Sequence, residues 1–509
     1  LSEAAVADLA ELAEGKPIGL EDARPSWLTR AMRPLATPAG RASIWTIVCY
    51  GATQALRLVS NVVLSRLLFP EAFGVMTIVN VFVQGLQMFS DLGIGPSIIQ
   101  HRRGDERLFL NTAWTLQVVR GFCLAGCSIA LAWPLAVFYD TPQLGWLLCA
   151  AGITAAISGF NSTYLFTVRR SLSLGGVTLL EIGAQAAGVL VNCVWALVNP
   201  SVWALMAGAL VSAFVRAAFS HVLNHGERDR MAWDATAYHE LFHFGKWIFL
   251  STIITFCAGQ CDRILLSKLI PLEMLGVYTV ALTLALLPNV LLSTLAFSVL
   301  YPLLCKAGRE VDSAINDRLL RGRRTLLLFG MTLVLCIGAG ADAFFRLLYD
   351  PRYFDAIWMT QLMCVSVWFM VLNTTLEISL LALGDSRANT FCGFVKFAAC
   401  TVVSLVLYHF YSTPGFILGI GIGAAVGQGV LLLMLARHGV SAVRQDACFT
   451  AATAALALAA VVAERFISYG AVAVCMVVPL GVAAMYVRHH HGQHAHDTAS
   501  AKPPAAEGA

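Results

Sequence analysis

The sequence predicts an all-α polytopic membrane protein of about fourteen transmembrane helices, arranged as two parallel-repeat six-helix lobes plus two C-terminal helices. Three observations predict this. Of 509 residues, 58% are hydrophobic and 13% charged, and the mean hydropathy is +0.73. Apolar runs near the ~20 residues that a spanning helix needs follow one another from about residue 43 to residue 487. The chain also repeats itself: Ser65-Arg66-Leu67-Leu68-Phe69-Pro70-Glu71-Ala72-Phe73-Gly74-Val75-Met76-Thr77 recurs as Ser267-Lys268-Leu269-Ile270-Pro271-Leu272-Glu273-Met274-Leu275-Gly276-Val277-Tyr278-Thr279. Trp45 and Trp247 keep that register, and later landmarks pair as Tyr139-Asp140 with Tyr349-Asp350 and Asn161-Ser162-Thr163 with Asn373-Thr374-Thr375. A duplicated bundle of membrane helices is a transporter architecture, with its site expected where the halves meet.

The spans are expected over 43–67, 73–98, 109–138, 143–167, 176–198 and 201–223 in the first copy, and over 242–268, 274–303, 324–348, 356–383, 390–411 and 415–437 in the second. Two more, at 447–466 and 469–487, lie beyond the repeat. The domain plan is a polar cytoplasmic segment 1–40, an N-lobe 41–224, a cytoplasmic linker 225–241, a C-lobe 242–438, the last two helices within 439–488, and a disordered His-rich tail 489–509. Basic residues alternate between loops: Arg102, Arg103, Arg107, Arg169, Arg170, Arg228, Arg230, Arg321, Arg323, Arg437 and Arg444 fall on one side, and Asp140–Gln143, Asn199–Ser201 and Ser412–Pro414 carry none; the exception is the loop near Arg346 and Arg352, which also carries Asp342, Asp350 and Asp355. By the positive-inside rule both termini are expected in the cytoplasm. With an even number of helices per copy, the copies are then parallel. Pro134 and Pro288 lie inside spans and are expected to bend them. Gly415, Gly419, Gly423 and Gly427 recur every four residues, a stripe for close backbone packing rather than chemistry.

Polar side chains within the spans form stripes. Gln54, Arg57 and Asn61 share a face of the first span, and Asn80, Gln84, Gln87 and Asp91 a face of the second. Glu181, Gln185 and Asn192 do so on the fifth, and Ser251, Thr255 and Asp262, with Arg263 beside them, on the seventh. Arg120 lies deep in the third span, Asn373 and Glu377 are one turn apart in the tenth, and Lys396 is in the eleventh. A charge at mid-membrane costs roughly 2.5–3.5 kcal/mol on insertion scales. These groups are therefore expected to face a wet interior or one another. Arg57, Arg120, Asn61, Gln84, Gln87 and Lys396 are the candidate substrate-binding residues. Arginine presents a fixed fork of donors that matches phosphate and stays charged. Asp91, Asp262, Arg263 and Glu377 are the candidate coupling-ion or gating residues. The bland alternative is helix glue, with Arg57 paired to Asp91.

A net charge of +4 gives no case for nucleic-acid binding. No Gly-rich phosphate loop, HExxH or GxSxG motif occurs in a fitting context, so no enzyme activity and no cofactor are expected. Cys123/Cys127 and Cys257/Cys261 have CxxxC spacing on expected helices and read as small packing residues, not metal ligands. His489, His490, His491, His494 and His496 read as part of a solvated tail, and no metal site is assigned.

Several segments together resemble a known family. They are Ser65-Arg66-Leu67-Leu68 with Glu71-Ala72-Phe73-Gly74, Ser90-Asp91-Leu92-Gly93-Ile94, Asn111-Thr112-Ala113-Trp114, Asp262-Arg263 leading to Leu275-Gly276-Val277-Tyr278, and Leu348–Ala356. Over roughly 41–438 the chain resembles the Wzx-type polysaccharide flippases of the multidrug/oligosaccharidyl-lipid/polysaccharide exporter superfamily, most of all exporters of the succinoglycan and colanic-acid kind. The resemblance implies an undecaprenyl-diphosphate-linked oligosaccharide as cargo, moved across the cytoplasmic (inner) membrane by alternating access through a cationic cavity. It also implies surrounding membrane lipids, and a polysaccharide polymerase and chain-length regulator as partners. The alternatives are a multidrug or metabolite antiporter of the same superfamily and, in another class, a membrane glycosyltransferase or polysaccharide polymerase. The short outward loops argue against the second.

Overall fold

The computed structural model describes residues 38–466 except 91–93, 102, 171–174, 224–228, 237–255, 258, 302–303 and 305–314. Among the described residues the chain is helical and has no strand. In order, the helices are α1 (Pro38–Leu67), α2 (Pro70–Phe89), α3 (Ile94–Gln100), α4 (Arg107–Phe138), α5 (Pro142–Gly159), α6 (Tyr164–Arg170), α7 (Gly175–Val198) and α8 (Val202–Val222). Then follow α9 (259–269), α10 (Leu272–Ala285), α11 (Leu287–Leu295), α12 (Ile315–Leu348), α13 (Asp355–Ala382), α14 (Ser386–Arg437) and α15 (Val443–Phe466). Among the described residues nine helical stretches are long and apolar enough to cross a membrane, or ten if α5 and α6 form one bent span. The last expected span, 469–487, and Trp247 lie outside the described residues.

Helix starts follow local chemistry. Pro70 and Pro142 open α2 and α5, where a missing N–H costs nothing. The Asp385 carboxylate accepts from the Ala388 N–H at 2.9 Å and caps α14.

Three expected spans are interrupted. The second, expected through residue 98, ends at Phe89, and α3 begins at Ile94. The fourth breaks between α5 and α6, which meet at 59°. There the Ser162 N–H donates to Ser220 Oγ at 2.9 Å, and the Ser162 and Thr163 hydroxyls donate to Asp229 at 2.6 and 2.5 Å, so local polar groups are satisfied outside the helix. The eighth divides into α10, α11 and a π-helical turn over Ala296–Leu300, with the expected Pro288 at the start of α11. The eleventh and twelfth spans run on as α14 in hydrogen bonding, but Ser412 at φ 53°, ψ −140° folds that element back on itself. The glycine stripe explains how tightly. A Cβ on Gly419, Gly423 or Gly427 would come within 2.4–2.7 Å of Ser404, Cys400 or Lys396 on the first limb of α14.

One apolar core joins residues from both copies of the repeat, among them Leu64, Phe73, Ile78, Tyr278, Leu292 and Tyr353. Within it α2 packs on α10. The repeat is visible in the contacts themselves. Gly74 and Gly276, equivalent in register, pack each against the other helix: a Cβ on Gly74 would lie 2.0 Å from the Leu272 carbonyl oxygen, and one on Gly276 1.9 Å from that of Pro70. Thr77 and Thr279, also equivalent, share a hydroxyl hydrogen bond of 2.8 Å. Arg66 donates to the Leu348 and Leu347 carbonyls at the end of α12 (3.0 and 3.2 Å). Its counterpart Lys268 donates to the Phe138 carbonyl at the end of α4 (2.6 Å). A cation at a helix C-terminus is stabilised by the exposed carbonyls and the helix dipole. Arg352 over the Phe69 ring (4.6 Å) and Tyr353 Oη donating to the Leu68 carbonyl (3.3 Å) complete the junction.

A buried charge cluster ties α15 to the second copy. Arg323 is 0% exposed and pairs with Asp446, 3% exposed; it also donates to Thr375 Oγ1 at 2.8 Å and to Gln445 at 3.3 Å. Gln428 donates to the other Asp446 oxygen at 2.8 Å.

Candidate functional site

The structure places the expected site residues in two regions. The first is the face of α1 and α2. On α1, Ser60 and Leu64 are buried on the stripe that also carries Arg57 and Asn61. Arg57 is nevertheless exposed, and Asn61 half-buried. The Arg57 guanidinium has no hydrogen-bond or ion-pair partner among the described residues. On α2, Asn80, Gln84 and Gln87 are exposed on the face that begins at Thr77. Gln84 Oε1 accepts from Gln260 Nε2 at 2.9 Å, which links the two copies beside Phe89 and Phe256, in edge contact at 4.9 Å. Asp91 lies outside the described residues, and so does the Arg57–Asp91 pairing.

Arg120 has a different setting. Its Nε donates to Ser90 Oγ at 2.8 Å and its Nη2 to the Gln87 carbonyl at 2.6 Å. It caps the carbonyl end of α2 from α4 while staying partly exposed. Its depth in the sequence gave no sign of that second task.

The second region is a cavity of about 740 Å³ lined by α9, α10, α11, α13 and α14. Asp262, Arg263, Glu377 and Lys396 all line it; Arg57, Arg120, Asn61, Gln84 and Gln87 do not. It lies within the second copy, whereas the sequence points to a chamber between the copies. Asp262 accepts from Tyr278 Oη at 2.8 Å, Arg263 donates to Gln260 Oε1 at 2.5 Å, and Lys396 is ion-paired with Glu377. Gln260 thus links Arg263 in the cavity wall to Gln84 on the α2 face. Thr374 donates to Asn289 Oδ1 at 3.0 Å across the lining.

Tyr278, Gln260, Asn289, Asn389 and Ser404 were not among the expected site residues. The signal for Tyr278 was in the repeat: it stands where the first copy has Met76. Asn289, next to Pro288 in a broken span, had no comparable signal.

A family model described as "Polysaccharide biosynthesis protein" matches residues 63–358, more than half of the chain and both copies of the repeated segment. The chain belongs to this polysaccharide biosynthesis family. Curated relatives include the lipopolysaccharide biosynthesis protein WzxC of Escherichia coli K12, 22% identical over 391 residues, 72% of this chain and 79% of that protein. The succinoglycan biosynthesis transport protein ExoT of Rhizobium meliloti is 23% identical over 292 residues, 57% of each chain. Among solved structures, the lipid II flippase MurJ in an inward closed conformation superposes with a TM-score of 0.67 at 12% identity, covering 88% of this chain and 99% of that one. An inward-facing multidrug MATE transporter gives 0.56 at 16% identity, covering 76% and 96%. The family member described here thus has the fold of multi-pass transporters.

Proposed function

We propose that this protein is a flippase, not an enzyme. In this reading it carries undecaprenyl-diphosphate-linked oligosaccharides across a bacterial inner membrane for polysaccharide assembly, by alternating access between two lobes that correspond to the repeats. The observation that carries the reading is the junction of Gly74, Thr77 and Arg66 with Gly276, Thr279 and the end of α12. Equivalent residues meeting on a pseudo-two-fold axis form a joint that can separate as two units, with few side chains to rearrange. The names of the relatives and the likeness to MurJ support the cargo class. Both termini are assigned to the cytoplasm, which turns the Arg66–Lys268 end outward.

In this reading the open face of α1 and α2 is one wall of the cargo chamber. Arg57, free of partners among the described residues, receives the diphosphate with Asn61, Gln84 and Gln87 beside it, and Arg120 adds positive potential while holding α2. Asp262 and Glu377, engaged by Tyr278 and Lys396, act as gating groups whose bonds rearrange as the copies move. Asp91 belongs to this set by its place on the second span, and Arg263 by its link through Gln260. A polymerase and a chain-length regulator are the partners expected downstream.

The antiporter alternative favours an acidic chamber for cationic drugs, and an exposed arginine on the open face speaks against it. The test is polysaccharide export in a host that lacks its own flippase. Arg57→Ala is expected to abolish export at normal membrane abundance; full export from Arg57→Ala combined with Arg120→Ala refutes the assignment.

A further inference from the structure

We infer that the cavity within the second copy is a sugar subsite, which takes one or more neutral glycosyl rings of the cargo. The inference rests on the transport reading and assigns the cavity a ligand that differs from the diphosphate placed at Arg57.

Charge balance is the first reason. Asp262 and Glu377 offset Arg263 and Lys396 on the lining, so the cavity has no net charge to concentrate either a diphosphate or an organic cation. Size is the second: about 740 Å³ is within the ~300–1,000 Å³ of small-molecule sites. The third is the neutral polar lining, in which Asn289, Thr374, Asn389, Thr390 and Ser404 bring amides and hydroxyls together. A hydroxyl both donates and accepts, so a ring carrying several satisfies such a mixed set, as ions of one sign do not. Phe397 and Phe416 on the lining offer apolar surface for the C–H faces of the ring.

Two native thiols on the lining, Cys261 and Cys400, report occupancy. Maleimide labelling is followed by peptide mass spectrometry on the full-length protein in lipid nanodiscs, with exposed Cys448 as the internal control. The probes are methyl glucoside, methyl galactoside, N-acetylglucosamine and glucuronic acid, against inorganic pyrophosphate and tetraphenylphosphonium. A neutral sugar at ten times its dissociation constant is expected to slow labelling of Cys261 and Cys400 about tenfold, with Cys448 unchanged. Asn389→Ala with Ser404→Ala is expected to remove that protection; Asn389→Leu, close in volume and without a polar atom, serves the same purpose if the double variant does not fold. Labelling that no sugar slows, or that only pyrophosphate or tetraphenylphosphonium slows, overturns the subsite. Polysaccharide export is scored in the same strains. Export with unprotected thiols overturns the subsite alone, and absence of export from the unaltered protein overturns the transport reading beneath it.

Discussion

A methyl group at Gly74 is expected to pry apart the junction between the repeats. The added Cβ would sit 2.0 Å from the Leu272 carbonyl oxygen, while even a weak C–H···O contact needs about 3.3 Å. The obstructing carbonyl is backbone, so no side chain can swing away and α2 and α10 must separate by roughly 1.3 Å. The Thr77–Thr279 hydrogen bond, 2.8 Å in the closed junction, does not survive that shift. Overpacking costs about 1–3 kcal/mol and the lost bond about 0.5–1.5 kcal/mol. The assay replaces both threonines, so only the overpacking, about 1–3 kcal/mol, is read there, a shift of the closed-to-open ratio of roughly five- to 150-fold. The assay is oxidative cross-linking of Thr77→Cys with Thr279→Cys, mapped by mass spectrometry, with and without Gly74→Ala. Cross-linking is expected to be fast while Gly74 is retained and strongly reduced once Gly74→Ala is added. Gly126→Ala is the control, because its Cβ meets nothing within 4 Å. Equal cross-linking with and without Gly74→Ala would refute the claim that this contact holds the junction closed.

Other expectations follow from the same structure. Asp446→Ala strands the buried Arg323 charge and is expected to destabilise the protein by about 3–5 kcal/mol, read as a lowered thermal midpoint; Arg323→Met with Asp446→Leu is expected to cost clearly less. Ser412→Gly relieves a side chain held at positive φ and is expected to stabilise by about 1 kcal/mol, whereas a lowered midpoint would count against strain at that turn. Arg120→Ala is expected to lower both export and thermal stability, because it uncaps α2, while Arg57→Ala lowers export alone; the two readouts separate their roles. The backbone N–H of Ala388, and then His438, hold the Asp385 carboxyl below its ordinary value. Its contribution to stability is therefore present above about pH 4 and lost as the pH falls through the lowered value. Asp385→Asn is expected to flatten the acid limb of the stability profile.

Part of this fold was legible because a repeated segment, 65–77 and 267–279, leaves a register that a single sequence can be checked against. The match of Gly74 to Gly276 and of Arg66 to Lys268 marked the repeated segment, though not that Gly74 and Gly276 pack on each other's helices, and the four-residue glycine stripe anticipated the close backbone approach within α14. Pro288 announced the break in the eighth span. The break after α5 had no such sign, because it depends on Asp229, far along the chain and brought back only by folding. Polar stripes on α1 and α2 gave the exposed face with Arg57, since charge in a membrane must find water or a partner. Position along a helix could not reveal that Arg120 spends its donors on the Ser90 and Gln87 end of α2. Nor could it locate the cavity, because five helices of one copy converge there and polar lining residues such as Asn389 and Ser404 look like ordinary span residues.

Transport itself is the most direct test of the central claim. Purified protein is reconstituted with a fluorescent undecaprenyl-diphosphate oligosaccharide, and access of an external glycosidase to the inner-leaflet pool is timed. Rapid loss of the protected pool is expected with the reduced Thr77→Cys/Thr279→Cys protein. Oxidation to the cross-linked form is expected to stop it, and reduction to restore it. A protected pool that decays no faster than in protein-free vesicles, or decays equally with the junction cross-linked, would contradict transport through separation of the repeats.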